Sequence, residues 1–209
     1  SQQKAAAAAV PVGVMNIFTR MDVAAPTASN EDRERVMTLL GAIVIQLISM
    51  LRNIALDSNG RKQLQKHRSV CTMCSLMRPF KAVPELLLAC SRAVAKLSLQ
   101  EPFRTQINSR PVYLQCLSEV LVLEGNQCRK LMDGEQVEWP DWYSWSLLSR
   151  ITFTLGNLTT SNAANRMALV DSFNCVRPLL SLLQACTGSL TALLERGPEV
   201  LAACEPEPE

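Results

Sequence analysis

The sequence predicts an all-α fold, on three observations. Of its 209 residues, 48% are hydrophobic but only 5% are aromatic. This composition favours helices with interleaved aliphatic side chains over an aromatic-rich sheet. Apolar residues recur at spacings of three and four, which places them on one face of a helix. A short motif also recurs along the chain, which predicts about three stacked copies of one helical unit, forming a short α-solenoid with flexible ends.

The repeated motif stands at the end of a predicted helix in each unit. Its copies are Leu51-Arg-Asn-Ile-Ala55, Val94-Ala-Lys-Leu-Ser98 and Leu155-Gly-Asn-Leu-Thr159. Asn53, Lys96 and Asn157 are then equivalent, and an arginine follows each of them eight or nine residues later: Arg61, Arg104 and Arg166. The first two copies lie 43 residues apart, within the roughly 40 to 47 residues that are typical of some helical repeats. The third lies 61 residues after the second, which predicts an insertion of about 18 residues.

The chain is predicted to begin with a flexible lead over residues 1–30, which are rich in Ala, Pro, Thr and Ser and lack helical periodicity. Helical units are predicted over residues 31–123. Asn30 is a favourable N-cap, and the acidic Glu31 and Asp32 suit the first turn of the helix that follows. Its apolar face continues through Ile43, Leu47, Met50, Leu51 and Ile54.

Each motif helix is followed by a short helix with basic residues, then by a longer apolar helix, and then by the next motif helix. The helices predicted after the first motif are 61–66, 69–77 and 85–97, then 102–107, 111–123 and 145–158, then 162–170 and 175–183. Proline residues fall at the joints, where a missing N–H is tolerated in the first turn: Pro79, Pro84, Pro102 and Pro111. Units of three helices are therefore predicted.

Between the second and third motifs, residues 124–144 are predicted to form an inserted loop that is rich in Trp and acidic residues. A further unit is predicted over residues 145–186, and residues 187–209 are predicted to be a solvated acidic tail rich in Pro and Glu. Trp139, Trp142 and Trp145 have two interpretations. They either anchor an interface, as aromatic side chains often do, or fold back over the ridge between units.

Over residues 42–186 these motifs resemble the armadillo-repeat family, in which the third helix of a unit typically ends in Leu-x-Asn-Leu-Ala. The first and third copies match that pattern well and the second matches it poorly. The resemblance implies a right-handed armadillo-type α-solenoid whose third helices line a concave groove. It also implies that Asn53 and Asn157, with Lys96 between them, bind the backbone of an extended peptide. The alternative is that each amide caps a neighbouring turn.

Nuclear-import adaptors of the family carry tryptophan four residues before each groove asparagine, whereas this chain has Ser49, Arg92 and Phe153 there. An import receptor is therefore not expected. The segment 151–159 is similar to family members that build the axoneme of motile cilia and sperm flagella. The resemblance implies a scaffold or cargo adaptor in the cytoplasm, or in a cilium or flagellum, with axonemal or transport-complex proteins as partners. The alternative is a nuclear-import or transcription-related adaptor that binds acidic or extended peptides.

Charge is distributed unevenly along the chain. Residues 42–123 hold eleven Lys or Arg against four Asp or Glu, a formal +7, whereas residues 124–145 carry −3 and residues 195–209 carry −4. A basic groove could recruit an acidic protein segment or a nucleic acid. Equally, long basic side chains often do no more than solvate helix faces. Because few aromatic residues are interleaved with the basic ones, a protein partner is favoured over nucleic acid.

No feature of the sequence indicates an enzyme, a cofactor or a small-molecule substrate. His67 is the single histidine, and no glycine-rich phosphate loop is present. His67, Cys71 and Cys74 share a predicted helix face, but a structural zinc site usually needs four ligands, so no metal is expected. Cysteines among apolar residues are interpreted as buried thiols of an intracellular protein: Cys71, Cys74, Cys90, Cys116, Cys175 and Cys186.

The longest apolar run, residues 39–51, is too short to cross a bilayer, so no membrane association is expected. An array of about three units leaves part of its core uncovered at the ends. We therefore expect poor solubility for the chain alone, which the remainder of a longer protein or a partner would relieve.

Overall fold

The computed structural model describes residues 30–81, 83–137, 140–160 and 162–195, and within these ranges every regular element is a helix. The predicted all-α fold class is confirmed for them. The helices are α1 (Asn30–Ile54), α2 (Ser58–Lys66), α3 (Ser69–Met77), α4 (Pro84–Ser98), α5 (Glu101–Asn108), α6 (Pro111–Met132), α7 (Asp141–Thr159), α8 (Ala163–Met167) and α9 (Val176–Glu195), with a π-helical segment, Ala168–Ser172, after α8. The predicted lead, apart from Asn30, lies outside the described residues.

Contacts between helices repeat with a period of three. Helix α1 packs on α4, and α4 packs on α7. In a second layer, α3 packs on α6, and α6 packs on α9. The two layers meet where α4 packs on α3 and α7 packs on α6. Each helix of these layers therefore contacts the helix three positions along the chain.

The core is aliphatic and centres on α4. Side chains of this helix that are almost fully buried include Leu86, Leu87, Ala93, Val94 and Leu97. They are covered from three sides, because α4 packs against α1, α3 and α7. Within the described ranges, no helix combines the length and the apolar character that crossing a bilayer requires.

The prediction of a loop over residues 124–144 is wrong for most of these residues. Helix α6 continues to Met132 and α7 begins at Asp141, so the connection covers only residues 133–140. The inserted residues instead lengthen two helices: α6 has 22 residues against nine in α3, and α7 has 19 against 15 in α4. Helix continues here because it buries side chains, among them Cys128, and brings Gly125 against Leu182 of α9.

Residues 187–195 of the predicted acidic tail are also helical, since α9 runs to Glu195. Its last six residues include the good helix formers Leu190, Ala192, Leu193, Leu194 and Glu195. The rest of the predicted tail, residues 196–209, lies outside the described residues.

The turn between α1 and α2 depends on a glycine. Asp57 caps α2, because its Oδ2 accepts a hydrogen bond from the Gly60 backbone N–H at 2.8 Å. This capping brings Gly60 against the end of α1, where a side chain at residue 60 would collide with the Ile54 carbonyl. The close approach accounts for glycine at this position.

Candidate protein-binding face

Three arginines tie the ends of α1, α4 and α7 to the helices that follow. Nη1 of Arg61 donates to the carbonyl oxygens of Ala55 and Leu56, at 3.1 and 2.8 Å. Nη1 of Arg104 donates in the same way to Ser98 and Leu99, at 3.0 and 2.8 Å. Helix-end carbonyls have no intrahelical partner, and a cation there also complements the helix dipole.

The third arginine varies the pattern. Nη1 of Arg166 donates to a single carbonyl, that of Thr159, at 2.7 Å. Ala55, Ser98 and Thr159 each stand two residues after a position of the motif alignment. The contacts therefore make Asn53, Lys96 and Asn157 structurally equivalent, as the sequence alignment predicts.

The six candidate groove residues form three pairs on stacked helices. Ser49 and Asn53 lie on α1, Arg92 and Lys96 on α4, and Phe153 and Asn157 on α7. Members of a pair are four residues apart, about one helical turn, so they share a side of the helix. Asn53, Arg92 and Phe153 are exposed, and the other three are half-buried. We call the surface that carries these pairs the third-helix face.

Asn157 makes a contact within the fold. Its Nδ2 donates to Oγ of Ser98 at 2.9 Å, which joins α7 to the end of α4. The Ser98 hydroxyl in turn donates to the Ala95 carbonyl at 2.7 Å. The amide nitrogen of Asn157 thus helps to hold α7 against α4, and its side-chain carbonyl oxygen can still accept a hydrogen bond from a ligand.

A row of arginines crosses the third-helix face. Arg52 lies on α1, Arg92 on α4 and Arg150 on α7. Burial lowers the pKa of Arg150, and the positive charges of Arg92 and Arg52 lower it further. Nη1 of Arg150 also donates a hydrogen bond to the Ser146 carbonyl oxygen at 2.6 Å. Within the part of the chain that the structure describes, none of the three forms a salt bridge with a carboxylate.

Arg52 and Arg150 are not among the six groove residues that the sequence predicts. Arg52 stands three residues after Ser49, and Arg150 stands three before Phe153, so the helical period places each beside a candidate residue. That signal was present in the sequence. The proximity of Arg150 to Arg52 was not, because it requires the stacking of α1, α4 and α7.

Aromatic side chains flank the row on α7. Phe153 is 49% exposed and Trp142 is 60% exposed. Trp142 contacts Tyr143 edge-on, with ring centroids 6.3 Å apart. Trp145, by contrast, is half-buried and packs against the core, and Trp139 lies outside the described residues. The two interpretations of the tryptophans therefore apply to different residues, since Trp142 is available to a partner whereas Trp145 covers the core.

The cysteines are mostly interior. Burial raises the pKa of the Cys90 and Cys128 thiols to about 12. Cys186 is exposed, so its predicted burial is wrong. His67 is exposed whereas Cys71 and Cys74 are buried. No group of three metal-ligating side chains occurs among the described residues.

Two other polar features lie away from the third-helix face. Glu124 of α6 is only 3% exposed. Burial raises the pKa of its carboxyl, and the hydroxyl of Ser144 on α7 partly offsets this. A cavity of about 400 Å³ lies between α6 and α9, with Arg129 and Arg177 in its lining.

Comparison with protein-family models finds no family that matches this chain, and comparisons with curated proteins and with solved structures find no match either.

Proposed function

We propose that the chain is an armadillo-type scaffold that holds an acidic, extended segment of a partner protein across its third-helix face. The observation that carries the proposal is a row of three arginines, Arg52, Arg92 and Arg150, on stacked helices. Among the described residues, none of these arginines forms a salt bridge with a carboxylate. Mutual repulsion of like charges disfavours this arrangement, and bound carboxylates would relieve it. Guanidinium groups also bind carboxylates through two parallel hydrogen bonds.

The row suits an extended ligand. Packed helices lie about 8 to 10 Å apart, so a row across three of them spans roughly 20 Å. An extended peptide advances about 3.3 Å per residue, so about six residues cover this distance. Asn53 and the free carbonyl oxygen of Asn157 can bind peptide backbone groups, and Phe153 and Trp142 can contact apolar side chains.

The armadillo type is supported by two features of the fold. Helix contacts repeat every third helix, as a stack of three-helix units requires. The contacts of Arg61 and Arg104 with the preceding helix end repeat at a separation of 43 residues. Both features agree with the resemblance carried by the motifs.

We further propose, on the resemblance of residues 151–159 alone, that the partner belongs to the axoneme of motile cilia or sperm flagella. Capture of the full chain from ciliated cells, beside its Arg92→Glu variant, tests this setting. Axonemal proteins are expected with the parent and are expected to be depleted with the variant. Recovery of nuclear-import cargo in place of axonemal proteins would overturn this setting.

A direct test of the binding face uses a fluorescent peptide of about 12 residues that alternates Glu and Ser, long enough to cross the row. Arg92→Glu is expected to weaken its binding about tenfold in a fluorescence anisotropy titration, because it reverses the central charge of the row. Lys62→Glu, an equal charge change on the exposed side of α2, is expected to have a small effect. Equal weakening by both variants would show attraction to net charge alone and would contradict the proposal.

A further inference from the structure

The two ends of the helical array expose apolar faces, and the first lies on α1. Its exposed side chains follow one another at spacings of three and four, with exposed fractions between 44% and 63%: Leu39, Ile43, Leu47, Met50 and Ile54. Ile48, on the other side of α1, is buried in the core. A stripe of this kind is the signature of a helix that is covered on both sides, yet within the described ranges only α4 provides a long packed neighbour for α1.

The second apolar face lies on α9. This helix is held by α6, against which Leu182 is buried. Its outer apolar side chains have exposed fractions between 38% and 63%: Val176, Leu179, Leu180, Leu183 and Leu190. Like the face of α1, this one exceeds the scattered exposed apolar residues that are normal for a protein surface.

The two ends are complementary in the order of the repeat. Helices α3 and α6 are each covered by the helix that follows, α4 and α7 respectively. Helix α9 occupies the equivalent position and has no such cover among the described residues. Helix α1 occupies the position of α4 and α7, and no helix among the described residues covers it as α3 and α6 cover them. The element missing at one end is therefore the element exposed at the other.

Residues 196–209 do not have the sequence of the missing helix. They contain Pro198, Pro206 and Pro208, and a proline in a helix interior interrupts it. The stretch between the first two of these prolines is shorter than the 15 residues of α4. Helix α1, in contrast, has 25 residues, so it is about 37 Å long and can cover the roughly 30 Å of α9.

We propose that a second copy of this chain docks head to tail, with its α1 packed on α9 of the first copy as α4 packs on α3. The contact uses two different surfaces, so it leaves one free face at each end and can add further copies. It also places α1 of the second copy beside α7 of the first, which extends the arginine row from one copy to the next. The association needs no ligand and stands independently of the proposed peptide binding.

Two variants, each blocked at one end, test the arrangement. The first carries Ile43→Glu and Leu47→Glu on α1, and the second carries Leu180→Glu and Leu183→Glu on α9. All four side chains are exposed, so both variants are expected to fold, as circular dichroism can verify. A third variant, Leu99→Glu with Leu123→Glu, places the same charges at exposed sites that lie on neither α1 nor α9.

In analytical ultracentrifugation, the parent chain and the third variant are expected to form species larger than a dimer as concentration rises. Each end-blocked variant alone is expected to remain monomeric. An equimolar mixture of the two is expected to double in mass and to stop at a heterodimer, because only one pair of compatible faces remains. A parent that is monomeric throughout, an end-blocked variant that still self-associates, or a mixture that stays monomeric would each overturn the proposal. Arg92→Glu is expected to leave the sedimentation unchanged, which separates this association from peptide binding.

Discussion

Helices α1 and α4 occupy equivalent positions in the repeat but differ greatly in burial. Eleven of the 15 residues of α4 are buried. Ile48 is the one buried side chain among those described in the 25 residues of α1. Both helices are amphipathic, so the difference comes from their neighbours: α4 has helices on three sides, whereas α4 is the one long packed neighbour of α1 among the described residues. Among the described helices, buried apolar contacts are therefore concentrated around α4, whereas α1 leaves apolar surface exposed.

The largest expected effect contrasts a buried leucine of α4 with an exposed one of α1. Leu87→Ala is expected to lower the free energy of unfolding by about 3 kcal/mol, since it leaves a cavity in a packed core. Leu47→Ala is expected to change it by less than about 0.5 kcal/mol. Urea denaturation at a concentration where the chain is monomeric measures both. Similar losses for the two variants would mean that α1 is covered in the free chain.

A second contrast compares Gly60, which is packed closely against α1, with Gly156, which has no atom near its Cβ position. Gly60→Ala is expected to cost about 2 kcal/mol, because the added methyl meets the Ile54 carbonyl and the turn must shift. Gly156→Ala, on the exposed side of α7 with no atom nearby, is expected to stabilise by about 0.5 to 1 kcal/mol through helix propensity. Thermal unfolding followed by circular dichroism should therefore show shifts of opposite sign. A stabilising Gly60→Ala would show that the turn is not tightly packed.

A third contrast compares the arginine caps. Arg104→Met removes a side chain that bonds two carbonyls in the middle of the array and is expected to cost about 1 kcal/mol. Arg166→Met removes a single, exposed contact near the end and is expected to cost less than half as much. Lys62→Met, beside the Arg61 cap but outside it, serves as the control in the same urea titrations. If Arg166 proved the more important cap, stability would not be concentrated in the middle.

The smallest expected effect concerns the buried Glu124. Because burial raises its pKa in the folded chain, the unfolded chain releases this proton first as pH rises. As pH rises from the ordinary carboxyl pKa of 4.5 to the raised pKa of the folded chain, Glu124 therefore lowers the free energy of unfolding. Below both pKa values it has no such effect. Glu124→Gln is expected to raise the Tm by about 2 °C at neutral pH, and the gain should vanish in acid. Exposed Glu135→Gln is the control, and an equal gain at both pH values would contradict this account.

Local signals made much of the helical pattern predictable. Prolines such as Pro84 and Pro111 mark helix starts close to those observed. The recurrence of Arg61, Arg104 and Arg166 predicted an equivalence that their hydrogen bonds to the preceding helix ends reproduce. These signals depend on residues close together in the sequence, so they can be recognised without knowledge of the fold.

Features that depend on distant neighbours were not predictable. Helix α6 extends through residues 124–132 partly because Gly125 admits Leu182 of α9, 57 residues later. Arg52, Arg92 and Arg150 become one site only when α1, α4 and α7 stack. The sequence therefore predicts only some of the residues that form the site.

Photo-crosslinking can show directly whether the acidic peptide binds across the third-helix face. The Glu and Ser peptide would carry one photoreactive residue at its centre, and mass spectrometry would locate the adducts on the full chain. Adducts are expected on α1, α4 and α7, near Arg52, Arg92 and Phe153. Adducts concentrated at the groove between α6 and α9, near Arg129 and Arg177, would contradict it.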